Sequence, residues 1–105
     1  MRWYPRLYTG PMAASARYRI IQGLRAGKFM PSVYVITRAV DSDGILDIYR
    51  STDYRSGRVQ EADPMILGLA LTRDGALEVA RNIIDDLYRK NGDFDIDAFC
   101  NSSHS

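Results

Sequence analysis

The sequence predicts a single small α+β domain, ordered (β)αβββα, with a three- to four-stranded antiparallel sheet and two main helices packed on one face. Three observations carry this. Two helical stripes recur near the three-and-four spacing of an α-helix, at residues 12–26 and 72–90. Between them stand three short runs rich in β-branched, aromatic or continuously apolar residues. The chain has 105 residues, 46% of them hydrophobic, which suits one domain with its own core over residues 1–105.

The first element is Leu7–Thr9, a short apolar lead-in or edge strand that Gly10-Pro11 interrupts. Ala13, Ala16, Ile20, Ile21 and Leu24 then form one face of a helix over 12–26, and Gly27 is a suitable stop behind it. Pro31 disfavours helix at Met30 and opens an extended segment. Ser32–Ala39 (SVYVITRA) and Ile45–Arg50 (ILDIYR) read as the arms of an antiparallel hairpin across the turn Asp41-Ser42-Asp43-Gly44.

Residues 51–63 show no apolar periodicity and read as a long loop, mobile and open to function. Pro64 precedes Met65–Leu71 (MILGLAL), an unbroken apolar run that argues for a strand covered on both sides. Gly68 within it marks a close approach by a neighbouring group. Thr72 is placed to cap a helix with Asp74 in its first turn. Ala76, Val79, Ala80, Ile83, Ile84 and Leu87 give that helix one wide apolar face. Its wet face offers Arg81–Asp85, Asp85–Arg89 and Asp86–Lys90 at i,i+4, and Asn91-Gly92 ends it. In the tail Asp93–Asn101, Phe94, Ile96 and Phe99 are expected to pack in an irregular or one-turn segment, with 101–105 frayed. The expected core includes Ile36, Ile48, Leu67, Ile83 and Leu87.

Several chemistries lack their residues. One cysteine, Cys100, allows no disulfide within the chain, and with one histidine, His104, it cannot supply a zinc site. Asp93, Asp95 and Asp97 have the first offsets of a calcium loop, but Ala98 stands where glycine is required and His104 where glutamate is. No metal or other cofactor is expected. Both Cys–His and Ser–His pairs would depend on His104 at the end of the chain, and there is no phosphate-binding glycine motif. No catalytic residue is assigned. The longest apolar run is seven residues, too short for a membrane span, and Pro5, Arg6, Gly10 and Pro11 break any leader-like apolar region. A cytoplasmic location is expected.

Charge is uneven along the chain. Residues 1–58 carry +6 and residues 59–105 carry −5. Either the halves fold against each other and their charges mix, or the first half presents a basic surface. The segment Tyr49-Arg50-Ser51-Thr52-Asp53-Tyr54-Arg55-Ser56-Gly57-Arg58 alternates aromatics with arginines, so Tyr49, Arg50, Tyr54, Arg55 and Arg58 are candidate nucleic-acid-binding residues. The αβββα order is similar to that of a double-stranded-RNA-binding domain, although Arg73, Asp74 and Gly75 stand where that family has its basic helix start. The first reading of function is nonetheless association with a protein partner or a second copy, because so apolar a strand needs cover and a short sheet leaves an edge open. RNA or DNA binding is the alternative.

Leu7-Tyr8, YVIT at 34–37, LDIY at 46–49, GLA at 68–70, Ala76-Leu77, IIDDLY at 83–88 and GDFDI at 92–96 span nearly the whole chain. On these residues the sequence resembles a family of short uncharacterised bacterial proteins, mostly from Firmicutes. The shared positions are mostly core positions, so the resemblance implies a common fold and no activity.

Overall fold

The computed structural model describes residues 1–40, 44–54 and 57–102. In chain order the elements are β1 (Arg2–Thr9), α1 (Arg17–Arg25), β2 (Tyr34–Arg38), β3 (Leu46–Arg50), α2 (Ser51–Tyr54), α3 (Gly57–Ala62), β4 (Met65–Ala70), α4 (Arg73–Asn91) and α5 (Ile96–Ser102). The four strands form one sheet in the order β1-β4-β2-β3. The expected all-antiparallel sheet is therefore corrected in part. β2 pairs antiparallel with both β3 and β4, but β1 runs parallel to β4. β3 and β4 are parallel to each other with β2 between them, so α2 and α3 form a crossover rather than a loop. This non-sequential order also separates the fold from the simple three-stranded arrangement suggested by the αβββα string.

A second correction concerns the layers. The helices cover both faces of the sheet. On one face, α4 and α5 bring Ala76, Val79, Ile83, Leu87, Phe99 and Cys100 onto Tyr4, Ile36, Met65 and Leu67. On the other, Ile20 and Leu24 of α1, Tyr54 of α2 and Val59 of α3 close over Leu7, Val35, Ile66 and Leu69. All six residues of β4 are buried, as its unbroken apolarity requires.

The segment 51–63 is not a long loop. Tyr54 and Val59 are 3% and 2% exposed, which makes them the anchors of its two short helices. Ser51 is buried as well, and its hydroxyl donates to the Met30 carbonyl. With four and six residues, these helices are too short to display a helical period in the sequence. α1 is also shorter than the span 12–26, although Ala13 ahead of it is fully buried. Of the expected core, Ile36, Leu67, Ile83 and Leu87 are buried, while Ile48 on the outer strand is only partly so. Residues 41–43 of the hairpin turn lie outside the described residues.

β4 carries an irregularity that explains how it serves two layers. β2 pairs Ile36 with Gly68 and Thr37 with Ile66, so Leu67 is an extra residue in the ladder. Such a bulge interrupts the alternation of side chains. Met65 and Leu67 face α4, Ile66 and Leu69 face α1, and after the bulge Gly68 and Ala70 face α4. A Cβ at Gly68 would lie 2.6 Å from Cγ1 of Val79, closer than packed carbons can come.

The long helix is bounded as its sequence dictates. Thr72 Oγ1 accepts from the Gly75 amide at 2.9 Å, Asp74 occupies the first turn, and Gly92 closes the helix at φ 72°. Instead of the expected i,i+4 pairs, Arg89 pairs with Asp86 at i,i+3, 3.7 Å apart. The aspartates of the tail hold α5 in place. The Asp95 carboxylate accepts from the Ala98 amide at 3.1 Å, the Asp95 amide donates to Asp93 at 3.1 Å, and Asp97 pairs with Arg38 of β2. Phe99 is buried, whereas Phe94, expected in the core, is half exposed against Tyr88. The pairs Arg38–Asp97 and Met1 amine–Asp63 both join the basic half to the acidic one.

Gly68→Ala should lower stability by about 1–3 kcal/mol, through overpacking against Val79. Adding Val79→Ala should recover part of that loss, since the two positions share one contact. Denaturant unfolding of the two single variants and the double variant checks both points.

Candidate functional site

Of the five residues singled out between positions 49 and 58, the four described ones do not converge on one surface. Tyr49 is half-buried on the α1 face, and its hydroxyl donates to Asp47 at 2.8 Å. Strand alternation turns Arg50 to the α4 face, where its guanidinium lies 5.8 Å from the ring centre of Tyr34. Tyr54 is a core residue, its hydroxyl 3.5 Å from the Pro64 carbonyl. Arg58 is exposed on α3, and Arg55 lies outside the described residues. A stacking platform needs open ring faces. The ring of Tyr54 is enclosed, so the apparent alternation of aromatics and arginines is not an alternation on a surface.

The sheet has two edges of different character. β1 carries Pro5 near its middle, has exposed Arg2 and Arg6, and loses register with β4 between Trp3 and Tyr8. Proline, charge and irregularity all blunt an edge. β3 has neither proline nor a register break, although it is short and carries Asp47 and the exposed Arg50. Its register pairs Val35 with Tyr49 and Thr37 with Asp47, and the Ser51 amide donates to the Val33 carbonyl at 2.8 Å. That parity turns the backbones of Tyr49 and Asp47 toward β2. The amides and carbonyls of Leu46, Ile48 and Arg50 consequently face outward, without backbone partners among the described residues. The side chains of Leu46 and Ile48 are partly buried against the core under α4.

A second feature lies at the opposite side of the sheet. Alternation along β1 places Tyr4, Arg6 and Tyr8 on the α4 side, where they meet Asp86, Arg89, Lys90 and Phe99 around a cleft of about 350 Å³. The Tyr8 hydroxyl donates to Asp86 at 2.6 Å. Tyr4 stacks between Tyr8 and Phe99, with ring centres 6.3 and 5.4 Å away. Lys90 Nζ stands 5.8 Å from the centre of the Phe99 ring. Burial raises the pKa of Tyr4, and the neighbouring Cys100 and Asp86 push the same way. Tyr8 is raised further, by burial first and then by its bond to Asp86. Tyr54 is raised by burial and by Asp63. Burial also pushes the Cys100 thiol up, away from the reactive thiolate. The sequence reading, which began the strand at Leu7, missed this cleft. The signal was Tyr4, Arg6 and Tyr8 at alternate positions, masked by Pro5 between them.

Among the described residues, no group of three or more His, Cys, Asp or Glu is placed to hold a metal ion, and no helix is long and apolar enough to cross a membrane.

Folding favours the neutral form of all three raised phenols. Their contribution to stability is whole below the ordinary phenol pKa of about 10 and is lost as pH rises through the raised native values. In a native titration followed by tyrosinate absorbance, Tyr4, Tyr8 and Tyr54 should lag, and alkaline unfolding should release all seven tyrosines. Tyr8→Phe should remove one lagging phenol. A single step near pH 10 for all seven would contradict the packing described.

Comparison with known proteins yields no further assignment, since no known family, curated protein or solved structure matches the chain.

Proposed function

We propose that the chain is a binding domain that self-associates through β3, pairing antiparallel with β3 of a second copy. The observation that carries this reading is the outward row of backbone groups at Leu46, Ile48 and Arg50 on a strand with neither proline nor a register break. An exposed row of this kind is a ready template for pairing with a second strand. The strand is also self-complementary about Ile48. Antiparallel pairing centred there sets Ile48 against Ile48 of the second copy and Leu46 beside the aliphatic stem of its Arg50. On the other face, Asp47 comes beside Tyr49 of the second copy, the same acceptor and hydroxyl that already bond within the strand at 2.8 Å. A two-fold axis through Ile48 closes the contact, so the association stops at a dimer with one continuous eight-stranded sheet. Five residues of strand bury little surface, so the dimer is weak and depends on concentration.

The alternative, nucleic-acid binding through Arg50, Arg55 and Arg58, has the exposure of Arg50 and Arg58 in its favour and the burial of Tyr54 against it. It would show itself as RNA or DNA binding that weakens steeply with salt.

Sedimentation of the chain from dilute to concentrated solution should show a monomer–dimer equilibrium little affected by salt. Ile48→Pro removes an outward amide that β2 does not use, and Leu46→Lys sets a charge at the edge. Each should weaken the dimer at least about tenfold, or ~1.4 kcal/mol, with the circular dichroism unchanged. A chain monomeric at every concentration, or a dimer indifferent to both changes, would overturn the proposal.

A further inference from the structure

We propose that the cleft between β1 and the last turns of α4 binds a small monoanionic ligand with a flat apolar body, an aromatic carboxylate being the simplest case. Its volume, about 350 Å³, lies at the small end of ligand sites. Three features of its walls specify the ligand.

The first is an unspent donor. Tyr4 is 3% exposed and lines the cleft, yet its hydroxyl has no hydrogen-bond partner among the described residues. The ring is enclosed, but the hydroxyl is not among the sealed polar atoms, so it reaches the cleft and is open to a ligand. A phenol is protonated at neutral pH, and burial raises this one further, so it can donate and an acceptor suits it. Tyr8 is not available in the same way, because its proton is committed to Asp86.

The second feature is charge. Asp86 is the acid of the cleft, and it is already bonded to Tyr8 and paired with Arg89 at 3.7 Å. Arg6 and Lys90 remain without carboxylate partners among the described residues. Lys90 is held at the wall by the face of Phe99. The surplus is positive and modest. One carboxylate answers it, with an oxygen for the Tyr4 hydroxyl and its charge shared by Arg6 and Lys90. A doubly charged phosphate would crowd its second charge against Asp86.

The third is the floor. Tyr4, Tyr8 and Phe99 form a continuous aromatic stack, interplanar angles 22° and 14°. Ring edges and faces of this kind favour a flat apolar body over a hydrated one. The cleft lies at the β1 side of the sheet, away from β3, so this proposal stands or falls independently of the dimer.

Benzoate is the probe for the test, titrated into the isotopically labelled full chain and followed by amide chemical shifts. Saturable shifts should cluster at residues 4–8 and 86–90. Benzyl alcohol should cause none, and inorganic phosphate should bind at least about tenfold more weakly than benzoate. Tyr4→Phe and Arg6→Gln should each weaken benzoate by about tenfold, the scale of a hydrogen bond to a charged group. Arg6 is exposed, so its variant keeps the fold whatever Tyr4→Phe does to stability. Shifts that do not saturate or scatter over the surface would overturn the assignment. So would equal binding of the alcohol, tighter binding of phosphate, or Arg6→Gln binding benzoate as the parent does.

Discussion

Everything in this fold answers to one constraint, which is that β4 must be dry on both faces. A strand of six buried residues cannot lie at an edge or under a single layer. It takes β1 and β2 as its neighbours, and the chain must supply helices to both sides. α4 does this from one side with Ala76, Val79, Ile83 and Leu87. The other side draws on shorter pieces, with Ile20, Leu24, Tyr54 and Val59 each contributing one anchor. The bulge at Leu67 lets consecutive side chains turn toward α4, and Gly68 gives Val79 the room to come down onto the strand.

Covering both faces decides where function can reside. With the sheet enclosed, the accessible features are its edges and the seams where helices meet strands. One edge, β1, is defended by Pro5 and by broken register. The other, β3, is regular and open. The seam between β1 and α4 gathers the hydroxyl of Tyr4, the Tyr8–Asp86 bond and the two cations Arg6 and Lys90.

Local pattern made the strands β2, β3 and β4 legible in the sequence, and with them α4, its Thr72 cap and its Gly92 stop. Each of these is specified by neighbouring residues. Strand order is not, because nothing local distinguishes β4 beside β3 from β4 beside β2. The second helical layer escaped for a related reason. Tyr54 and Val59 are single anchors on helices of about one turn, and a single anchor has no period to detect. The candidate nucleic-acid residues show a different limit of reading by proximity. Proximity in sequence suggested one surface, but Tyr49 and Arg50 alternate across the sheet and Tyr54 turns inward. The cleft residues had the reverse property: Tyr4 and Tyr8 meet Asp86 and Phe99 only after the chain has closed. Phe94 and Phe99 both looked apolar enough for the core, but Phe94 lies ahead of α5 against Tyr88, and of the two only Phe99 is buried.

Amide hydrogen exchange tests the two-sided burial of β4 most directly. The amides of Met65–Ala70 should exchange only through global unfolding, with the free energy that denaturant unfolding gives, and those around Tyr54 and Val59 should be protected well above a loop. The outward amides of Leu46, Ile48 and Arg50 should exchange quickly in dilute solution. Fast exchange in β4, or an unprotected segment 51–62, would mean that the second layer does not close over the sheet.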